Sequence, residues 1–134
     1  MSKNADPVLT DAIKAARQVR LRAYAPYSGF KVGAAIISTK SGLFVGANVE
    51  NAAYPEGICA EGAAIAAMIA AGHKRIEAII VAADPAVTPC GGCRQKIAEF
   101  ASANTSIIST GPKGKAHIKT TISALLPAAF NLQK

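Results

Sequence analysis

The chain contains no tryptophan, and only three tyrosines and four phenylalanines among its 134 residues. Aromatic platforms for stacking the bases of single-stranded nucleic acid are therefore scarce. A long apolar run is also missing: the longest, Ala63 to Ala71, is about half of the roughly 20 residues needed to cross a bilayer, so no membrane association is expected. The opening stretch MSKNADPVLTDAIKAARQ has no apolar core of the kind a secretory signal carries, which makes a cytoplasmic protein the default. Acidic residues are few, 8 against 15 lysines and arginines, for a net charge of +7. The cations are scattered rather than gathered in runs, so they describe a solvated basic surface or an attraction for small anions, and no nucleic-acid partner is expected. There are three cysteines, an odd number. In a cytosolic chain that argues against a disulfide framework and for metal binding or catalysis.

What is present is a globular composition, 51% hydrophobic and 17% charged, which excludes intrinsic disorder. The length suits one domain over residues 1–134, large enough to bury a full core without covalent staples. Residues 8–23 place Val8, Leu9, Ile13, Ala16, Val19 and Leu21 among cations at helical spacing, with Asp6 and Pro7 as an N-cap and first-position pair. A loop, Tyr24-Ala25-Pro26-Tyr27-Ser28-Gly29-Phe30, follows. Residues 31–38 and 43–48 are expected as a β-hairpin across Thr39-Lys40-Ser41-Gly42. After a polar loop, residues 60–71 form an Ala-rich helix, apolar on nearly every face and ended by Gly72. Residues 77–83 are a central strand, 93–103 a helix, and 105–109 and 117–121 short strands before a tail opening at Leu125-Leu126-Pro127. This order predicts an α/β fold of three αβα layers, with helices on both faces of a mixed five-stranded sheet and a parallel strand–helix–strand unit within it.

The cysteines fall in two places. Cys59 precedes the Ala-rich helix, and Cys90 and Cys93 stand in Pro89-Cys90-Gly91-Gly92-Cys93 at the start of the next. Residues three apart on a helical turn face one way, so the C-x-x-C pair suits one metal. A third thiolate from a second helix start makes three ligands with a fourth position open, the arrangement of catalytic zinc. The positive ends of two helix dipoles would favour the thiolates. Glu61, two residues beyond Cys59, stands beside the metal without ligating it, where a carboxylate serves as general base and then general acid. Two other readings of the cysteines stay open here. One is a thioredoxin-like redox pair, which leaves Cys59 and Glu61 without employment. The other is a structural zinc site with His73 or His117 as fourth ligand, although His73 lies about 20 Å from Cys59 along the helix at 1.5 Å per residue.

With its Glu that is not a ligand, the pattern Cys59-Ala60-Glu61 … Pro89-Cys90-Gly91-Gly92-Cys93-Arg94-Gln95 is similar to that of zinc deaminases. Together with Tyr24 to Ala35, Asn48-Val49-Glu50-Asn51-Ala52-Ala53-Tyr54-Pro55 and Leu125-Leu126-Pro127-Ala128-Ala129-Phe130, the chain resembles the small homotetrameric zinc-dependent cytidine deaminases over nearly its whole length. The resemblance implies one Zn²⁺ per chain on Cys59, Cys90 and Cys93, with Glu61 as proton shuttle. Further, it implies that Asn48 and Glu50 bind the ribose hydroxyls, that Phe30 packs on the pyrimidine, and that the backbone of Ala60 and Cys90 lies near the base. Phe130 and the loop around Tyr54 would reach a neighbouring subunit's site in a homotetramer. The implied reaction is hydrolytic deamination of cytidine or deoxycytidine to uridine or deoxyuridine plus ammonia, a step of pyrimidine salvage.

One position departs from the family. After Cys-Ala-Glu it usually has Arg, where this chain has Gly62. Gly62 leaves room beside the site and removes a positive charge, which Arg94, next to Cys93, is a candidate to replace. The departure keeps another amino-substituted ring of the blasticidin S type in view as substrate. A base within nucleic acid and a zinc-stabilised interaction module without activity are further rivals. Against the last stands an intact Glu61.

Overall fold

A computed structural model describes residues 6–115 and 117–132. Helix α1, Pro7–Arg20, starts as the sequence implies: the Asp6 carboxylate accepts from the Val8 N–H at 3.0 Å, and Pro7 occupies the first turn. It stops before residue 23 because Leu21, Arg22 and Ala23 bond back only three residues, to Gln18, Val19 and Arg20, which tightens the chain out of the helix. Strands β1, Gly33–Ser38, and β2, Leu43–Ala47, form the expected antiparallel hairpin. A single 3-10 turn, Tyr54–Glu56, precedes helix α2, Ala60–Ala70. Gly72 at φ 89° ends α2, with its N–H on the Ile69 carbonyl and the His73 N–H on that of Met68. Strand β3, Ile76–Ala82, leads through a loop with a cis Asp84–Pro85 bond into helix α3, Gly91–Phe100.

The larger departures from the sequence expectation lie in the C-terminal half. The helix expected over residues 93–103 ends at Phe100, and β4, Ala101–Thr110, begins at the next residue. Ala101 pairs with Ile76, the chain bulges outward, and pairing resumes at Ser106 with Ala78. Thr105 secures the bulge: its hydroxyl donates to the Ile76 carbonyl at 2.8 Å and accepts the Ser102 N–H at 3.0 Å. After β5, His117–Thr121, a short helix α4, Ile122–Leu125, replaces the start of the expected tail. The Thr121 hydroxyl caps it by accepting from the Ala124 N–H.

The sheet order is β2-β1-β3-β4-β5, parallel between β3 and β4 and antiparallel elsewhere. Alternation along the strands sends Ala35, Ile37, Ala78, Ile80, Ala82 and Ile108 to one face, where Ala12 and Ala16 of α1 cover them. Ala34, Ile36, Ile79 and Ile107 point to the other, against Ala64, Ile65 and Met68 of α2, Ile97 of α3 and Ile122 of α4. The structure is thus the α/β three-layer arrangement with a mixed five-stranded sheet. Ile76 joins the α2–α3 face because a register shift between Ile76 and Ala78 adds Glu77 and reverses the alternation. Each fully buried isoleucine contributes about 1.5–3 kcal/mol relative to exposure.

Glycine sets how close α2 lies to the sheet. A β-carbon on Gly46 of β2 would stand 2.4 Å from the Ala64 nitrogen and 2.7 Å from the Ala60 carbonyl oxygen. Only hydrogen fits there, so the first turn of α2 rests directly on β2. Gly33 does the same for α1, its β-carbon direction lying 2.1 Å from the Ala16 carbonyl oxygen.

Candidate active site

Gly33 at the start of β1 pairs with both Ala47 at the end of β2 and Ala82 at the end of β3. The three strand ends therefore meet at one edge of the sheet. The loop after β3 feeds α3 there, and α2 starts beside it. Cys59 is the N-cap residue of α2 and Cys90 that of α3, with Cys93 in the first turn of α3. The three sulfurs lie within 4.8 Å of one another. Four-coordinate zinc with bonds of about 2.3 Å places sulfurs about 3.8 Å apart, so small adjustments close them on one ion.

The electrostatics favour a cation in that position. Burial pushes the Cys59 thiol up; a hydrogen bond with Cys93 opposes this, while the charges of Glu61 and Cys90 add to it. Cys93, fully buried, is raised far more, by burial first and then by Glu61 and Cys59. Cys90, exposed, is lowered. No formed cap hydrogen bond reaches it, yet the N–H of Cys93 and then that of Gly92 at the α3 terminus favour its thiolate, against its desolvation. Three thiols whose negative forms repel one another are the donor set that a divalent ion resolves, and thiolate ligation suits zinc.

Glu61 is only 5% exposed. Burial raises its pKa, with its own backbone N–H, the Cys93 thiol and the Lys96 ammonium working in the opposite direction. A carboxyl held above its ordinary value beside a metal site is suited to accept a proton and to keep it.

Cys59, Ala60, Glu61 and Cys90 line a cavity of about 320 Å³ together with Phe30, Asn48 and Glu50. Seven of the residues singled out from the sequence are thus brought to one concavity. Its remaining walls are Ser28, Val32, Val81, Val87 and Thr88, to which sequence reasoning assigns no role. Ser28 stands in the Tyr27-Ser28-Gly29 turn, and its hydroxyl and N–H both donate to the Glu50 carboxylate. The other four lie on strand ends and on the loop before Pro89, where no residue type signals a ligand. Asn48 also braces the local backbone. Its Nδ2 donates to the Phe30 carbonyl at 2.9 Å, and its Oδ1 accepts the Val32 N–H at 2.8 Å. One Nδ2–H and one Oδ1 lone pair remain for another partner.

Tyr54 and Phe130 stand apart from this cavity. Tyr54 is 77% exposed and, with Tyr27 at a centroid distance of 6.2 Å, edges an adjoining hollow that shares Ser28 and Glu50 with the first. Phe130 is 70% exposed, its carbonyl held by the Gln95 side chain. Neither histidine joins the cysteines: the His73 Nδ1 lies 2.8 Å from the Ser38 hydroxyl with its ring against Phe44, and the His117 Nδ1 lies 3.0 Å from the Thr110 hydroxyl. Arg94 is likewise engaged with other groups. Its guanidinium donates to the carbonyls of Pro89 and Leu125 and to the Thr88 hydroxyl, so it braces the loop and the C-terminal segment.

Comparison with known proteins agrees with this geometry. The family described as "Cytidine and deoxycytidylate deaminase zinc-binding region" matches residues 8–110. The cytidine deaminase of Sporosarcina psychrophila is 40% identical over 121 residues, covering 89% of this chain and 88% of its own. That of Halalkalibacterium halodurans is 42% identical over 123 residues, covering 90% and 92%. The crystal structure of the Burkholderia pseudomallei cytidine deaminase superposes with a TM-score of 0.84 at 37% identity, covering 97% of this chain and 100% of that one. With three cysteines converging at two helix starts and the zinc-binding region matched through both motifs, the chain belongs to the cytidine and deoxycytidylate deaminase zinc-binding family.

Proposed function

We propose that the protein deaminates free cytidine and deoxycytidine hydrolytically, giving uridine or deoxyuridine and ammonia, as a step of pyrimidine salvage. The observation that carries this reading is the buried Glu61 carboxyl in the wall of the cavity that Cys59 and Cys90 also line. Zinc on Cys59, Cys90 and Cys93 supplies the Lewis acidity that makes water nucleophilic at neutral pH. Glu61 takes one proton from the attacking water and passes it to the ring N3, then takes the second from the new C4 hydroxyl and delivers it to the departing amine. Atoms balance as cytidine plus water to uridine plus ammonia. The raised pKa of Glu61 suits a group that must hold a proton between these transfers.

The remaining walls assign themselves by chemistry. The Ala60 N–H opens α2 and has no partner within the helix, so it is a donor for the ring carbonyl. The Cys90 backbone lies near the exocyclic amine, and Phe30 covers the ring. Glu50 and the free Nδ2–H of Asn48 meet the ribose hydroxyls, which favours a nucleoside over a blasticidin-like ring. Tyr54 and Phe130 are left for a neighbouring copy's site. Exposed Tyr24, Val49 and Ile58, joined by β-bridges, and exposed Tyr27 beside Tyr54 support a homotetramer that covers this surface and completes the site. Thiol ligation fits a reducing cytoplasm, and no helix among the described residues is long and apolar enough to cross a membrane.

The test is a substrate panel on the zinc-loaded protein: cytidine, deoxycytidine, blasticidin S and a cytosine-containing oligonucleotide, with ammonia release as readout. Turnover of the two nucleosides and neglect of the oligonucleotide is the expected result. Preference for either of the others would replace this reading.

A further inference from the structure

The zinc cluster is electrically unbalanced. Three thiolates around a divalent ion carry −1, and an ionised Glu61 adds another negative charge. The two helix N-termini offset part of this. Arg94 is already engaged, with the carbonyls of Pro89 and Leu125 and the Thr88 hydroxyl.

A different cation is in place. Lys96 follows Cys93 by three residues on α3, one turn along the same face. Its stem crosses to the first turn of α2: a β-carbon built on Gly62 would lie 3.7 Å from the Lys96 Cδ and 3.9 Å from its Cε. The Lys96 stem thus lies against the bare backbone of Gly62, directly after Glu61, at the distance of ordinary contact with a β-carbon there. A long side chain at position 62 would contest that place. The stem brings the lysine to the first turn of α2, the turn that Cys59 caps and that holds Glu61.

We propose that Lys96 is the counter-charge of the zinc site, reaching from α3 across Gly62 to balance the metal–thiolate cluster and so retain the metal. Its role is positioning and electrostatic. Lys96 is exposed, so its effect is moderate and sensitive to salt.

The test is the rate of zinc transfer from the purified holoprotein to a chromogenic chelator. It is measured for the parent, Lys96→Met, Lys96→Gln, Lys96→Arg and the exchanged pair Gly62→Lys with Lys96→Ala, at about 20 mM and about 1 M salt. Methionine keeps the apolar stem over Gly62 and removes only the charge. At low salt the Met and Gln variants are expected to release zinc roughly 3- to 10-fold faster, the scale of one partly screened charge. Arginine and the exchanged pair are expected to restore retention, and high salt to bring all variants together. Parent-like release by Lys96→Met at low salt overturns the proposal. So does an acceleration that persists unchanged at high salt, which marks a packing role. Because the readout is metal release, the outcome is independent of whether cytidine is the substrate.

Discussion

Ser28 donates to Glu50 twice, through its N–H at 3.0 Å and through its hydroxyl, and the Tyr27 N–H reaches the same carboxylate at 3.0 Å. The loop after α1 is thereby fastened to the segment leaving β2, alongside the Glu50 N–H to Tyr24 carbonyl bond at 2.8 Å. One wall of the cavity is built by two segments distant in sequence, and the Glu50 carboxylate is oriented before any ligand arrives. The Ser28 hydroxyl and then its N–H hold Glu50 below the usual carboxylate range, against its slight desolvation. A lowered folded-state pKa means that this contribution to stability is present above the unfolded value. It is lost as pH falls through the depressed folded one.

Ser28→Ala is accordingly expected to raise KM for cytidine about 2- to 10-fold, the worth of one hydrogen bond, with kcat little changed. Titration of Glu50 should move back toward the ordinary carboxylate range. Steady-state kinetics at pH 7 and a carboxyl-resolved NMR titration check both; a fall in kcat with KM unchanged would contradict the assignment.

Asn48→Ala removes two backbone clamps as well as the free donor. We expect a stability loss of about 1–3 kcal/mol by denaturant unfolding, because the Val32 N–H loses its partner in a partly buried position and the Phe30 carbonyl loses one at an exposed position. A higher KM should accompany it. A stable variant with altered KM alone would mean that the clamps contribute nothing.

Gly46→Ala tests whether close approach of α2 to β2 positions the site. Its β-carbon would overlap the Ala64 and Ala60 backbone, so α2 must shift, and with it Cys59 and Glu61. The expected result is destabilisation of about 1–3 kcal/mol, with weaker zinc retention. Unchanged zinc affinity would show that the metal site tolerates the shift.

Local chemistry makes much of this legible from the sequence. Asp6-Pro7 announces α1, Gly72 ends α2, and the two cysteine motifs with Glu61 mark the centre before any coordinates. The end of α3 is not legible. Ala101 to Ala103 has helix-forming composition, yet pairing with Ile76 draws the backbone into β4, and the Thr105 hydroxyl that stabilises the bulge acts only in the assembled sheet. The partners of Arg94 are not legible for a similar reason, because Thr88, Pro89 and Leu125 are brought to it only by the fold. Arg94 is next to Cys93 in sequence, but one residue along a helix turns a side chain by about 100°, while three residues bring Lys96 back to the same face. Asn48 is readable as a sugar ligand, and its grip on Phe30 and Val32 emerges only with the fold.

The central claim is that Glu61 moves the protons and the cysteines hold the zinc. The measurement that tests it most directly sets zinc content per chain beside cytidine turnover for the parent and for Glu61→Gln. One zinc is predicted in both proteins, with a loss of at least about 10²-fold in kcat for the variant, the contribution of a positioned acid–base group. Near-parent turnover by Glu61→Gln with its zinc in place would contradict it.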